Sequence, residues 1–237
     1  MSVSMPQLTA VNEKKNSMDY WKDRMHGLSP SQYPWTDPSQ ERPSPSTRKE
    51  QAIEIDCEII HLPLHADWYG CTAMICSAWS VVLASYTGFS DVCFGLAMSH
   101  PDLVEKRRPF PFRTTIRDVV SLREFLNSTE ERIREDLEHN DIDVHLAQPS
   151  HRTWDRWSQS SMILEIFRKA EGPMEIQPCS LALQCIIDGH HLQLKALYNP
   201  ECIAKDEVKR ALTHLRNVRT RNSRKGLHKL DMLTQIS

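Results

Sequence analysis

The longest apolar stretch of the chain is CTAMICSAWSVVLASY at 71–86, which is interrupted only by small hydroxyl-bearing residues. On a helical wheel this stretch is apolar on every side, and such a helix must be surrounded by protein. The next stretch, DVCFGLAM at 91–98, is apolar at odd and even positions alike, as in a strand covered on both faces. The pattern therefore predicts a central helix that passes through a tight Thr-Gly turn into a buried strand.

Strand patterns also occur on either side of this pair. AIEIDCEII at 52–60 alternates strictly between apolar and acidic residues, which predicts a half-buried strand. SMILEIF at 161–167 is typical of a further strand. The segment 180–198 has two strand patterns separated by Asp188-Gly189, a dipeptide that favours a hairpin turn.

Two amphipathic patterns predict helices. The segment 121–140 opens with Ser121 and Glu124, the spacing of a capping box, and carries an apolar stripe. A second stripe, with Val208 and Leu215 among its members, predicts a helix near 204–218. Strands and long helices mixed without an internal repeat predict a layered α/β or α+β domain with a mixed sheet and flanking helices.

The ends and connections are polar or rich in proline. Residues 1–17 are polar and unpatterned, and we expect them to be disordered. A short helix is predicted over 18–27, stopping at a glycine. Five prolines in 28–50 indicate an extended crossing segment. The domain should therefore span 18–220, and we interpret 221–237 as linker.

Composition narrows the range of partners. The formal net charge is −2, which gives no global reason to expect a nucleic-acid or membrane partner. Seven cysteines without a Cys-x-x-Cys pair are read as reduced core thiols, so no metal site is expected. The N-terminus has no signal-peptide pattern and no stretch approaches the length of a membrane helix, so we expect a cytoplasmic protein.

Two groups of residues that include histidines are candidates for catalysis or metal binding. The adjacent His190 and His191 include potential general bases, but neighbouring residues of a hairpin point to opposite faces, so we interpret them as structural. A second group comprises four residues that could ligate a metal, although without a recognised spacing, and a solvated loop is favoured; these are His139, Asp141, Asp143 and His145.

Two basic stretches could contact phosphates, KRR at 106–108 and the acid-free segment 216–229. Solvated basic surface is favoured for both, because no aromatic interleaving or nucleic-acid motif accompanies them. No nucleophile elbow, phosphate loop or dinucleotide fingerprint is present.

The helix-to-strand segment 71–95 resembles the condensation domains of nonribosomal peptide synthetases, especially fungal ones. In that family a buried helix runs into a strand that begins with Asp-Val and contains Phe-Gly. The matching residues here are Thr72, Ala78, Trp79, Leu83, Tyr86, Gly88, Asp91, Val92, Phe94 and Gly95. The resemblance extends in the same order to DYWKDRMHG at 19–27, PFPFRTTI at 109–116, the helix at 121–140 and the later strands.

The resemblance implies a chloramphenicol-acetyltransferase-like fold, of which this chain would hold the second, C-terminal lobe. In the complete family the reaction joins two carrier-bound aminoacyl groups, with phosphopantetheine-bearing carrier proteins as substrates and no metal or diffusible cofactor. The family's His-His-x-x-x-Asp-Gly motif lies in the first lobe. HHLQLKA at 190–196 does not reproduce this motif, so no catalytic residue is assigned here.

Arg113 matches an arginine that, in the family, pairs with the aspartate of the catalytic motif. Guanidinium suits this role because it stays charged and binds carboxylates with two parallel hydrogen bonds. The alternative is a strand arginine on an exposed sheet edge, and the sequence leaves both open.

The resemblance leads us to expect a truncated condensation domain that ends in a stub of a linker towards an adenylation domain and is inactive alone. Two rivals remain: half of a split enzyme completed by another chain, and a non-catalytic module that binds carrier or synthetase partners. Because an isolated lobe would expose the apolar surface that it buries in the family, we also expect self-association.

Overall fold

A computed structural model of the protein describes residues 16–28, 33, 51–53, 60–61, 67–99, 109–116, 121–140, 162–170, 172, 180–189 and 191–224. Its helices are α1 (16–25), α2 (Trp68–Thr87), α3 (Leu122–Glu138) and α4 (Lys205–Arg224). Its strands are β1 (Gln51–Ile53), β2 (Ile60–His61), β3 (Asp91–Ser99), β4 (Phe110–Thr115), β5 (Met162–Arg168), β6 (Leu181–Asp188) and β7 (His191–Tyr198).

The strands form one mixed sheet in the order β1-β7-β6-β5-β3-β4, with β2 also paired to β7. The central strands β3, β5 and β6 are parallel, so their carboxyl ends lie at the same edge of the sheet. β4 pairs antiparallel with β3 and ends this path of the sheet, and β7 pairs antiparallel with β6. The predicted layered α/β fold with a mixed sheet and flanking helices is confirmed.

The two faces of the sheet differ in chemistry. One face packs against α2, α3 and α4 and is almost entirely apolar; from β3 it contributes Val92, Phe94, Leu96 and Met98. The opposite face, which we call the second face, carries the polar side chains of the central strands. Because side chains alternate along a strand, its members on β3 are Asp91, Cys93, Gly95, Ala97 and Ser99.

The central helix α2 is buried along most of its length, as predicted, and its ends explain its limits. The Asp67 side chain accepts a hydrogen bond from the Gly70 amide, 2.7 Å away, and so caps the first turn. At the other end Gly88 takes a left-handed conformation, with φ of 73°, and its amide donates to Ala84 O at 2.8 Å. The Thr-Gly turn therefore ends the helix at Thr87, and three residues separate it from the start of β3 at Asp91.

The hydroxyls inside α2 have partners despite their burial. Thr72 donates to the carbonyl of Trp68 and Ser80 to that of Cys76, at 2.9 and 2.7 Å. This bonding to the preceding turn satisfies the hydroxyls without any other group. Ser77 instead bonds Thr129 of α3 at 3.1 Å and helps to join the two helices.

The local predictions are confirmed at several elements. The capping box is present, since Ser121 Oγ accepts from the Glu124 amide and the Glu124 carboxylate accepts from the Ser121 amide. β6 and β7 form the predicted hairpin, with Gly189 at φ of 59°. β3 is buried at nearly every position, as a strand covered on both faces requires.

Some predicted boundaries need correction. Helix α1 begins at 16 rather than 18, and Ser17 is buried. The prediction that residues 1–17 are disordered is therefore wrong for residues 16 and 17. Helix α4 continues to Arg224, beyond the predicted start of the linker at 221. The strand predicted over 52–60 is described only at 51–53 and 60–61, and 54–59 lie outside the described residues, as do 1–15 and most of 28–50.

The length of α2 and the exposure of hydrophobic side chains bear on the predictions about a membrane partner and self-association. The prediction that no stretch approaches the length of a membrane helix was wrong, because by length and composition α2 could cross a membrane; 72% of its apolar window is buried inside the fold, as in a core helix of a globular domain. Within the described ranges, Phe89 is the one exposed large hydrophobic side chain. The predicted self-association stays a prediction.

Candidate functional site at the junction of α1, β3 and β4

The residues that carry the family resemblance build the centre of the core. Trp79 is completely buried, and its indole Nε1 donates to the Met162 sulfur at 3.1 Å, which joins α2 to β5. Phe94 is 1% exposed and packs beside Phe112 on β4. Tyr86 is partly buried and its hydroxyl lies 3.1 Å from His214 Nδ1. These contacts are architectural.

Gly95 marks the closest approach of β3 and β5. A Cβ built at this position would lie 3.1 Å from Ile163 Cγ1 and 3.4 Å from the Met162 carbonyl oxygen. These contacts are tighter than those of most side chains, so a Cβ here would require Ile163 to shift, and the absence of a side chain at Gly95 eases the close pairing of the two strands.

Arg113 lies on β4 and forms a two-pronged ion pair with Asp91 on β3. Its Nε donates to Asp91 Oδ1 at 3.0 Å and its Nη2 to Asp91 Oδ2 at 2.7 Å. Its Nη1 donates to the carbonyls of Arg24 and His26, at 3.1 and 2.8 Å. Four of the five guanidinium N–H donors are thus occupied within this lobe. Arg113 lies on the last strand of the sheet path, as the edge alternative supposed. Its side chain, however, is only 18% exposed.

Arg24, near the end of α1, forms hydrogen bonds to both β4 and α3. Arg24 Nη2 donates to the Arg113 carbonyl at 2.6 Å, and Arg24 Nε donates to Asp136 Oδ1 of α3 at 3.1 Å. Tyr20 also donates to Asp136 Oδ1, at 2.6 Å. Helix α1 is therefore held to β4 and α3 by charged and polar contacts.

Asp136 is the buried centre of this network. Burial raises its pKa above the ordinary value, although Arg24 and the hydrogen bonds from Arg24 and Tyr20 oppose that shift. Burial, together with Asp136, also raises the pKa of the Tyr20 hydroxyl, so this group donates at any physiological pH. Burial and the like charge of Arg24 lower the pKa of Arg132.

Sequence reasoning missed Asp136 and Arg24. A signal was present in α3, where Asp136 occupies the same stripe as Phe125, Thr129 and Ile133, all of them buried. A carboxylate on a buried helix stripe must find a partner, because burying an unpaired charge is costly. The partner itself, 112 residues away, was not predictable from local spacing.

The predicted histidine sites are only partly described. His191 is exposed and faces Asp188 across the hairpin, while His190 lies outside the described residues. His139 stacks on Tyr20 at a ring distance of 4.1 Å, and its Nδ1 lies 3.2 Å from Ser17 Oγ. The segments 141–145 and 106–108 lie outside the described residues, and within the described ranges no group of metal-ligating side chains occurs.

The cysteines fit the prediction of reduced thiols where they are described. Those at 71, 76, 93, 185 and 202 are thiols that are not joined in disulfides, and three of them, Cys71, Cys76 and Cys185, are buried. Burial raises the pKa of the Cys93 thiol to about 12 and also raises that of Cys76, so these are not activated nucleophiles.

Comparisons with known proteins agree with this architecture. No protein-family model matches the chain. Enniatin synthetase of Fusarium oxysporum is 23% identical over a 261-residue alignment that includes 98% of this chain and 8% of the synthetase. The chain therefore corresponds to a small part of that protein.

Solved structures give the same result at the level of the fold. A variant of the starter condensation domain of rhizomide synthetase RzmA has a TM-score of 0.66 at 14% identity, over 98% of this chain and 56% of that chain. The structure described as SeMet-CT has a TM-score of 0.68 at 13% identity, over 90% of this chain and 52% of that chain. The chain has the fold of a condensation-domain fragment and spans about half the length of these solved structures.

Proposed function

We propose that the chain is the second lobe of a condensation-type acyltransferase in secondary-metabolite biosynthesis. The reaction of the complete enzyme would be amide formation between two carrier-bound aminoacyl groups. The observation that carries the proposal is the α2–β3 junction, where most residues of the family pattern are buried, in a fold like that of condensation domains; they are Thr72, Ala78, Trp79, Leu83, Val92 and Phe94. The sequence likeness to enniatin synthetase over nearly the whole chain supports it.

Turnover would require a first lobe bearing the His-His-x-x-x-Asp-Gly motif. Bond formation between two carrier-bound groups needs both groups held in position and a proton acceptor near the attacking amine. This lobe contributes one wall of such a site, and we propose that it is silent when assayed alone. A first lobe on another chain would make it half of a split enzyme.

A non-catalytic module that binds carrier or synthetase partners is the second candidate. The geometry of Arg113 favours it, because Asp91 and the end of α1 already occupy four of its donors. An arginine so engaged has one N–H left and cannot form a second two-pronged pair with a carboxylate from another lobe.

A condensation assay with loaded donor and acceptor carriers, read by mass spectrometry, tests these proposals. We expect no product from the chain alone and product when a first lobe is supplied. Loss of that product in Arg113→Ala but not in Asp91→Asn would give Arg113 a role across the lobes. No product under either condition would favour the binding module. Product from the chain alone, abolished by changing His190 or His191, would refute the second-lobe proposal.

A further inference from the structure

Arg132 of α3 is a half-buried cation that forms no ion pair within the described ranges. Its one hydrogen bond there runs from Nη1 to the carbonyl oxygen of Arg113, at a long 3.3 Å. The next arginine along the helix, Arg134, is exposed and yet pairs with Glu130 at 2.7 Å. Burying an unpaired charge is costly, so the unpaired state of the more buried arginine points to an anion supplied by a ligand.

Two carboxylates act on Arg132 from nearby, but neither pairs with it. Asp136 Oδ1 accepts from Tyr20 at 2.6 Å and from Arg24 Nε at 3.1 Å, and Asp136 Oδ2 lies 3.5 Å from Arg24 Nη2. Glu135 is exposed, and among the described contacts no ion pair joins it to Arg132. Burial and the like charge of Arg24 outweigh both carboxylates and lower the pKa of Arg132.

Arg24 brings a second guanidinium group to the same place. Its Nη2 donates to the Arg113 carbonyl oxygen at 2.6 Å, so Arg24 and Arg132 both bond one oxygen atom. Within the part of the chain that the structure describes, Nη1 of Arg24 and the Nε and Nη2 of Arg132 have no hydrogen-bond partner. None of these nitrogen atoms is sealed from solvent, so a small ligand can reach them. Two guanidinium groups with unused donors therefore lie side by side at the junction of α1, β4 and α3.

The charge balance of this cluster selects a monovalent anion. Arg113 pairs with Asp91. Arg24 pairs with Asp136, so Arg132 retains one positive charge. A single carboxylate neutralises that charge, whereas a phosphate dianion would add a surplus negative charge close to the fully buried Asp136. The parallel Nε–H and Nη2–H donors of an arginine also match the two oxygens of a carboxylate.

We propose that Arg132, assisted by Arg24, binds the carboxylate of a ligand at the junction of α1, β4 and α3. The carboxylate accepts two parallel hydrogen bonds from Arg132 Nε and Nη2, and Arg24 Nη1 is a further donor beside them. The same edge of Arg113 cannot serve, because Asp91 already occupies it. The site goes beyond the proposed condensation reaction and does not depend on it.

The test is titration of the full 237-residue chain with sodium acetate at neutral pH, with the ionic strength held constant by sodium chloride. We expect millimolar acetate to shift the Nε–H resonance of Arg132, because this proton donates to the added carboxylate. In Arg132→Gln the affinity for acetate should fall about 10-fold or more, the effect of losing charge-assisted hydrogen bonds. Equal affinities of the wild type and Arg132→Gln would overturn the proposal.

Arg134→Gln is the matched control. Arg134 lies two residues further along α3, is exposed and pairs with Glu130, so its loss should leave the affinity for acetate unchanged. Arg132→Lys keeps the charge but loses the parallel donors, and its affinity should lie between those of the wild type and Arg132→Gln. An equal loss of affinity in Arg134→Gln would show a general effect of surface charge and would refute the site.

Thermal unfolding separates a binding residue from a structural one. Arg132→Met keeps an apolar stem of similar reach and removes the unpaired charge. It should therefore leave the melting temperature of the free chain unchanged or raise it, while acetate binding is lost. A lower melting temperature with unchanged affinity for acetate would assign Arg132 to the fold and sink the proposal.

Two further probes define the ligand. Inorganic phosphate should bind more weakly than acetate, and tighter binding of phosphate would contradict the charge balance and overturn the carboxylate assignment. N-acetyl-glutamate methylamide carries its carboxylate on an amino-acid side chain. Tighter binding of this probe than of acetate would support the site with an acidic residue of another chain as its occupant, and weaker binding would support it with a small carboxylic acid.

Discussion

Replacing Trp79 by alanine tests whether α2 is the centre of the core. Trp79 is 0% exposed, contacts Tyr33 edge-on at a ring distance of 6.1 Å and donates to the Met162 sulfur. The substitution removes the whole indole from a position that the surrounding sheet and helices cannot collapse to fill. We expect a loss of about 3–5 kcal/mol in the free energy of unfolding.

That loss is large compared with the stability of a typical domain, about 5–15 kcal/mol. For a chain of this size it corresponds to a decrease of about 6–20 °C in melting temperature. The indole donor disappears with the ring and its partner is a weak sulfur acceptor, so no unsatisfied polar group adds to the cost.

Urea unfolding followed by far-ultraviolet circular dichroism measures the effect, since this signal does not depend on the substituted indole. Phe89→Ala is the control, because Phe89 is 50% exposed and its loss should change stability by about 0.5 kcal/mol or less. The difference in emission between the wild type and Trp79→Phe isolates the fluorescence of Trp79. A solvent-like spectrum, or a loss no larger than that of the control, would refute the buried position of α2.

Two further predictions concern β3. Gly95→Val should cost about 1–3 kcal/mol, because the new side chain meets Ile163 and the strand backbone of β5; an unchanged unfolding midpoint would contradict that close approach. Because burial raises the pKa of Cys93 to about 12, the folded chain keeps a proton that the unfolded chain releases near about pH 8.5. The contribution of Cys93 is therefore fully present below this pH and is lost as pH rises towards 12. Urea unfolding should show a steeper decline of stability from about pH 8 to about pH 10 in the wild type than in Cys93→Ala, and equal slopes would argue against a raised pKa of this thiol.

The local sequence pattern alone predicted much of the secondary structure of this protein. The all-round apolar stretch predicted α2, the Thr-Gly turn predicted its end, and the capping box and the Asp188-Gly189 hairpin were both correct. These features are set by neighbours within a few residues, whose backbone preferences and periodicity are visible in the sequence. The family resemblance depended on the same local segment.

The tertiary structure determined which side chains contact each other. The sequence left Arg113 either to pair with a carboxylate of another lobe or to lie on an exposed sheet edge, and the register of β3 against β4 places it beside Asp91. Arg24 reaches Asp136 only because the fold brings residues 112 positions apart into contact. Periodicity reports that a side chain is buried, whereas its partner depends on strand order and register, which only the assembled sheet defines.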